Sequence, residues 1–189
     1  MRSELWAHRA AAEPAARGGG RAGPAAAEAA VTALYQAHAL ELIRLAHIML
    51  GDRAAAEDVV QEAFCGLCRR WSRLSDTASA LPYLRSSVLN GSRSLLRRHR
   101  WRAGGTAPPA DREPAASAEA AVITGEERRA VMQALRRLPA RQREALVLRY
   151  YLDLPEAQIA ETMGISKGAV KSHTARAIAS LRAVLEQAS

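Results

Sequence analysis

The sequence predicts an all-α protein that consists of two small helical domains joined by a flexible linker. Apolar residues recur at helical spacing through most of the 189 residues, and the alternation typical of β-strands is almost absent. Alanine and arginine are abundant, whereas aromatic residues make up only 4% of the chain. A stretch rich in glycine and proline interrupts the helical pattern. We therefore expect a disordered extension over residues 1–24, a first domain over 25–102, a linker over 103–124 and a second domain over 125–189.

The most informative segment of the second domain runs from Leu154 to Leu185. Gly164 can take the left-handed conformation that ends a helix, and Ser166 is a suitable N-cap for the helix that follows. Ala160, Gly164 and Val170 stand where helix-turn-helix units place a small residue, the turn glycine and an anchor. An ordinary helical hairpin in an all-α core is the alternative interpretation.

The second helix of this motif is predicted to face DNA. It has no acidic residue between Lys167 and Arg182, a feature that a structural hairpin does not need. At about 100° per residue, Val170, Ile178 and Leu181 define its buried arc. The side chains expected to contact DNA lie opposite or beside this arc: Lys167, Lys171, Ser172, His173 and Arg176. Of these, Arg176 is best placed to read a base edge, while Lys171 suits a phosphate.

Three helices are predicted in the first domain, over about residues 25–50, 53–71 and 80–101. Gly51 and Asp52 end the first of them and cap the second. The early turns of the second helix carry Asp58, Gln61 and Glu62. The helix dipole alone favours acids near a helix N-terminus, so a purely structural role is the alternative for them.

The third predicted helix is strongly basic outside its apolar stripe. It contains no acid, and its arginines are Arg85, Arg93, Arg97, Arg98, Arg100 and Arg102. Tyr83, Asn90 and Trp101 lie among them, which suits phosphate neutralisation combined with stacking on exposed bases. The whole chain has 27 basic and 19 acidic residues and a net charge of +8, which favours a polyanionic partner.

Cys65 and Cys68 are the only cysteines in the chain. Two cysteines are too few for a disulfide framework, so a cytoplasmic location is expected. The pair is the only candidate for redox or metal chemistry, but no further ligands lie nearby, and we expect both residues to be buried in helix packing. No uncharged run is long enough to cross a membrane. We therefore expect no enzyme activity, cofactor, metal, small-molecule substrate or membrane insertion.

Four segments follow one another along the chain: AEDVVQEAF at 56–64, PYLRSSVLN at 82–90 with the arginines after it, LPARQREALVLRYYLDLPEAQIAETMGIS at 138–166, and GAVKSHTARAIASLR at 168–182. In order and spacing, these segments resemble extracytoplasmic-function (ECF) sigma factors, the small two-domain initiation factors of bacterial RNA polymerase. The run GDRAAAEDVVQEAF, followed by RRW, resembles the actinobacterial subgroup often called the SigE family. The resemblance covers about residues 27–185, and the first 24 residues match nothing in the family.

The resemblance implies a region 2-like first domain, a region 4-like second domain and a role for each matched position. Asp58, Gln61 and Glu62 match the surface that grips the clamp of the polymerase's largest subunit. Asn90 matches a residue that contacts an extruded base of the minus-ten element. Its helix also carries the further minus-ten candidates Tyr83, Arg93, Arg97 and Arg98. The candidates on the helix-turn-helix would enter the minus-35 major groove, and the linker resembles the segment that threads through the polymerase active-site cleft.

A DNA-binding regulator that acts without polymerase is the main alternative, because the terminal helix-turn-helix also resembles the output domain of some response regulators. The acidic patch and the arginine helix favour a sigma factor, since a plain repressor needs neither. The expected partners are therefore core RNA polymerase and promoter DNA. Many relatives are held inactive by an anti-sigma factor, so the resemblance admits such a partner without requiring it.

Overall fold

A computed structural model describes residues 24–74, 76–102 and 122–186, with the side chains of all of these except 24, 122–129, 185 and 186. Within these ranges the chain is helical, and the all-α prediction is confirmed. The α-helices are α1 (Pro24–Leu50), α2 (Arg53–Arg70), α3 (Ala80–Arg102), α4 (Val122–Arg137), α5 (Ala140–Tyr150), α6 (Glu156–Met163) and α7 (Lys167–Glu186). Two short 3-10 turns, Trp71–Arg73 and Thr77–Ser79, lie between α2 and α3. The predicted N-terminal extension, except Pro24, and most of the predicted linker lie outside the described residues.

The first domain is a three-helix unit in which α1, α2 and α3 all pack on one another. Tyr35 on α1 meets Phe64 on α2 edge-on, with ring centroids 5.0 Å apart. Burying each large apolar side chain contributes about 1.5–3 kcal/mol. The predicted apolar stripes supply much of the core, in particular Leu42, Leu45, Met49, Val60, Phe64, Leu67, Leu84 and Val88.

The turns follow the chemistry expected from the sequence. Gly51 has a φ of +78° at the end of α1, and the Asp52 side chain accepts a hydrogen bond from the backbone N–H of Ala55 in the first turn of α2. Gly164 ends α6 with a φ of +65°. The Ser166 hydroxyl accepts from the N–H of Ala169 at 3.2 Å and so caps α7. The left-handed backbone at both glycines is strained for residues that carry a Cβ, so these two positions favour glycine.

The second domain contains the predicted helix-turn-helix, formed by α6 and α7. Helix α5 packs against both of these helices, and α4 packs against α7. The buried apolar residues of the motif are Ile159, Ala160, Met163, Val170 and Ala177. Ile178 and Leu181 are half-buried against the smaller apolar cluster of Leu138, Leu146 and Ala177.

Several local expectations differ from the structure. Helix α4 begins at Val122, inside the stretch assigned to the linker. Proline commonly stands at the first helical position, but Pro155 is the N-cap of α6. Helical spacing groups Tyr150 with the apolar residues Leu146 and Val147, but Tyr150 is 64% exposed. None of the described helices combines the length and apolar character that crossing a membrane requires.

The two domains pack directly against each other. Helix α3 contacts α6, while α1 contacts α4 and α5. Buried residues of both domains, such as Met49 and Leu89 in the first and Leu148 and Ile159 in the second, belong to one apolar cluster. Helical periodicity identifies most of the buried apolar side chains but does not predict that the two domains share a core.

Candidate nucleic-acid interface

The acidic residues of α2 form an exposed face. Asp58, Gln61 and Glu62 are all exposed to solvent. Glu62 accepts a hydrogen bond from Arg69, two turns further along the helix, at 2.7 Å. The neighbouring Glu62 carboxylate raises the pKa of Arg69 above its ordinary value, so the guanidinium stays charged. Both side chains of this ion pair are largely in water, so it adds little stability and leaves the acidic face accessible.

Both cysteines are exposed, so the expectation that they are buried is wrong. The inward face of α2 is occupied by Val60, Phe64 and Leu67. At about 100° per residue, Cys65 points to the opposite side, between the directions of Asp58 and Gln61. The thiols therefore extend the acidic face of α2 instead of filling the core.

Helix α3 presents a basic face beside the acidic one. Asn90, Arg97 and Arg98 are exposed, and Trp101 is 84% exposed near the end of the helix. Asn90, Arg97 and Trp101 are separated by seven and four residues, so they share one side of α3. Their amide, guanidinium and indole groups are available for base contacts, phosphate contacts and stacking, respectively.

Tyr83 is less accessible than Asn90, Arg97 and Arg98. It is half-buried between α2 and α3, and the guanidinium carbon of Arg70 lies 5.7 Å from the centre of its ring. A Cβ added at Gly66 would lie 2.9 Å from the Tyr83 hydroxyl, so the small residue on α2 accommodates the tyrosine. Tyr83 lines a groove between α2 and α3, together with Asp58, Glu62, Asn90, Arg98 and His99. This groove brings the polymerase and minus-ten candidates side by side.

Arg93 is turned towards the second domain. Its side chain is 18% exposed and donates to Glu144 on α5 at 2.7 Å and to the side-chain oxygen of Asn90. Glu144 is fully buried and also accepts from Arg141 at 3.3 Å. Burial raises the pKa of Glu144, while Arg93 and Arg141 act in the opposite direction. Among the residues whose side chains the structure describes, Arg93 is thus the one minus-ten candidate that pairs with an acid of the other domain.

The predicted minus-35 candidates lie on α7. Lys167, Lys171, Ser172 and Arg176 are exposed, whereas His173 is partly buried and its Nδ1 atom is enclosed. Lys171 lies 3.9 Å from Glu156 at the start of α6, in an exposed pair that contributes little to stability. Four of the five side chains are therefore free to meet a DNA groove.

Sequence reasoning missed Arg143 and Glu144, the two buried charged residues of α5. Arg143 donates to the backbone carbonyls of Met49, Arg136 and Leu138, which lie at the ends of α1 and α4. A signal was present, because Glu144 stands one helical turn before the buried Leu148 and so occupies a position on the apolar side. Within the described parts of the chain, no cluster of histidine, cysteine and acidic residues could hold a metal ion.

Comparison with known families agrees with this architecture. Sigma-70 region 2 matches residues 34–102, which include α2, α3 and most of α1. Sigma-70, region 4 matches residues 128–181, which include α5, α6 and most of α4 and α7.

Individual relatives extend the match to most of the chain. The ECF RNA polymerase sigma factor SigL of Mycobacterium tuberculosis is 37% identical over 174 residues, which cover 87% of this chain and 94% of that protein. A probable RNA polymerase sigma factor, RfaY of Xanthomonas campestris pv. campestris, is 36% identical over 141 residues. The match covers 72% of this chain and 35% of RfaY, so the chain spans about a third of that relative. The chain belongs to the ECF sigma factors of bacterial RNA polymerase, a non-enzymatic family with promoter-recognition regions 2 and 4.

A solved structure supports the same fold. The chain in "Structure of CnrH in complex with the cytosolic domain of CnrY" aligns with a TM-score of 0.63 at 22% identity, covering 86% of this chain and 96% of that chain. At this level of identity, the likeness establishes a common fold only.

Proposed function

We propose that this protein binds core RNA polymerase through the acidic face of α2, reads the minus-ten element with α3 and the minus-35 element with α7, and helps to open promoter DNA. Residues 25–102 would then contact the polymerase and the minus-ten element, and residues 125–189 would contact the minus-35 element. The predicted linker would connect them through the polymerase cleft. An anti-sigma partner stays an expectation from the family resemblance.

The observation that carries this proposal is the pair of oppositely charged faces on one small domain. Asp58, Gln61 and Glu62 are exposed on α2, and Asn90, Arg97 and Arg98 are exposed on the adjacent α3. DNA repels the first face and attracts the second, because its backbone carries a dense negative charge. A protein whose only partner is DNA has no use for an exposed acidic face beside its basic one. A second partner, protein in nature, accounts for the arrangement.

Run-off transcription with core polymerase on genomic promoter fragments tests the proposal. The full chain should start transcription at specific sites only when core polymerase is present. Replacing Asp58 and Glu62 together with lysine should abolish co-purification with core polymerase and leave the helical content unchanged, because both side chains point into water. Glu161→Lys, a charge reversal on an exposed residue of α6, is the matched control and should retain polymerase binding.

The alternative, a regulator that acts without polymerase, predicts the opposite results. It would bind one promoter tightly as a purified protein in physiological salt, and the α2 substitutions would leave its action unchanged. If initiation is site-specific and is lost when Asp58 and Glu62 are replaced with lysine, a regulator that acts without polymerase is excluded.

A further inference from the structure

Lysine is confined to one surface of this protein. Of its 27 basic residues, only Lys167 and Lys171 are lysines, and the rest are arginines. Both lysines belong to α7 and stand one helical turn apart, so they lie on the same side of the helix that carries the minus-35 candidates. The basic face of α3 contains no lysine, and its exposed cations include Arg97 and Arg98. The primary amines of the side chains are therefore concentrated where α7 is expected to meet DNA.

Both lysine amines are open to small molecules from solution. The Lys171 side chain is 74% exposed, and its ion-pair partner Glu156 is 3.9 Å away. Lys167 is exposed in the first turn of α7 and makes no ion pair with any residue that the structure describes. Beside it, a Cβ added at Gly168 would meet only the Ser166 hydroxyl, at 4.0 Å, apart from its own helix and chain neighbours. The space around the two amines is thus free for a reagent.

Lysine and arginine differ in what such a reagent can do to them. A lysine amine that has lost its proton is a nucleophile, whereas the arginine guanidinium stays charged. With an acyl phosphate or an acyl thioester, the lysine Nζ atom would attack the acyl carbon and form an amide bond. The bond from that carbon to the phosphate oxygen or the thiol sulfur breaks, phosphate or thiol leaves, and the ammonium proton goes to solvent. The amide product carries no charge.

Loss of these two charges would weaken DNA binding without disturbing the fold. Each lysine that no longer neutralises a phosphate reduces the salt dependence of binding by about 0.9. The helix dipole disfavours a cation in the first turn, so neutralising Lys167 does not weaken α7. The pair of Lys171 and Glu156 is exposed and adds little stability. The effect of acylation is therefore expected on DNA contacts of α7 and not on its packing.

We propose that Lys167 and Lys171 form an acylation site, at which an activated acyl donor, an acyl phosphate or an acyl thioester, removes the contacts of α7 with DNA phosphates. This inference rests on the proposed function, since it concerns regulation of the minus-35 surface. The cations of α3 are arginines and keep their charge. Acylation would therefore weaken minus-35 binding and leave the minus-ten and polymerase-binding surfaces unchanged.

Mass spectrometry of the full chain tests the site itself. The native protein is incubated with acetyl phosphate or, in a separate reaction, with acetyl-coenzyme A, and a urea-denatured sample is treated in parallel. Hydroxylamine then removes acetyl groups from the exposed thiols of Cys65 and Cys68 and leaves amides intact. Both lysines of the native protein should carry an acetyl amide after at least one of the reactions. Acetylation of the denatured sample alone would overturn the proposal.

DNA binding by the free protein tests the consequence without polymerase. The probe is a fluorescent mixed-sequence duplex, titrated over a range of salt concentrations. Acetylation of the parent should weaken binding several-fold and reduce the salt slope by about 1.8, twice the value for one phosphate contact. The control is the double variant with Lys167→Arg and Lys171→Arg, compared with itself before and after treatment. Its salt slope should not change, because it has no side-chain amine. An unchanged slope for the acetylated parent, or equal changes in both proteins, would overturn the proposal.

The holoenzyme shows whether the effect is confined to α7. The acetylated parent should co-purify with core polymerase as the untreated protein does, but it should bind a promoter with a minus-35 element several-fold more weakly. The treated double variant should bind that promoter as it does before treatment. Loss of polymerase binding by the acetylated parent alone would contradict the confinement to α7.

These measurements separate the inference from the proposed function. If the protein fails to start transcription with core polymerase but acetylation of the two lysines lowers the salt slope, the proposed function is wrong and the acylation site is right. If transcription requires the protein but the acetylated parent binds DNA as the untreated protein does, the acylation site is wrong and the proposed function stands.

Discussion

Arg143 of α5 donates a hydrogen bond to the backbone carbonyl of Met49, at the last turn of α1. The same guanidinium also binds the carbonyls of Arg136 and Leu138. One side chain thus satisfies carbonyls at the ends of two helices that belong to different domains. Burial lowers the pKa of Arg143 to about 10, which is still far above neutrality, so the guanidinium is charged at physiological pH.

Arg143→Ala should therefore lower the free energy of unfolding, by about 1.5–3 kcal/mol, the usual contribution of hydrogen bonds to a charged group. Arg143→Lys should recover only part of this loss, because a single ammonium cannot match the planar fork of donors. Urea denaturation followed by circular dichroism measures the change. The control is Arg137→Ala on the exposed side of α4, expected within about 0.5 kcal/mol of the parent. Equal loss in both variants would contradict this role for Arg143.

The exposed thiols of α2 offer a chemical test of the proposed polymerase-binding face. N-ethylmaleimide should modify Cys65 and Cys68 in the native protein without denaturant, because both are exposed. The bulky adducts stand on the face of Asp58 and Gln61, so the modified protein should lose co-purification with core polymerase. Mass spectrometry counts the adducts. In a control variant with both cysteines replaced by serine, N-ethylmaleimide should leave co-purification with core polymerase unchanged. If the labelled parent protein still binds polymerase, the docking surface lies elsewhere.

Asn90 and Arg97 should contribute differently to minus-ten recognition. An amide can donate and accept, so Asn90 can read a base edge, whereas Arg97 is suited to neutralising phosphate. Asn90→Ala should change the preferred base at one minus-ten position in a promoter-library transcription assay. Arg97→Ala should weaken all promoters to a similar degree and reduce the salt slope by about one unit. Indistinguishable library profiles for the two variants would exclude this division of roles.

On α7, Arg176 is expected to read sequence and Lys171 to bind phosphate. Arg176 is exposed opposite the arc of buried residues, while Lys171 stands at the edge of that arc near Glu156. Arg176→Ala should relax one minus-35 position, at a cost of about 1–3 kcal/mol of discrimination if its partner is guanine. Lys171→Ala should leave the preferred sequence unchanged. The measurement is selection of binding sites from a library of minus-35 sequences by the holoenzyme that contains each variant. A changed sequence preference for Lys171→Ala and an unchanged one for Arg176→Ala would rule out the assignment.

Part of the candidate site was readable from local sequence. The offsets of Ala160, Gly164 and Val170 predicted the helix-turn-helix, and Ser166 caps α7 as expected. The exposed faces of α2 and α3 follow from helical periodicity, which depends only on residues within one helix. Free cysteine is often buried, and this general preference gave the wrong expectation for Cys65 and Cys68. Because Val60, Phe64 and Leu67 form the inward side of α2, helical geometry places Cys65 on the outer side.

Local sequence was enough to predict the helices, the caps of α2 and α7 and the two charged faces, because each of these depends on residues within a few turns of one another. The position of α3 against α5 and α6 could not be predicted in this way and is known from the folded structure. This position brings Arg93 to Glu144, 51 residues further along the chain. Helical periodicity marks a residue as inward-facing but does not say which helix will cover it. The covering helix is selected by packing between distant segments, and this packing makes Arg93, a predicted minus-ten residue, the partner of a buried acid.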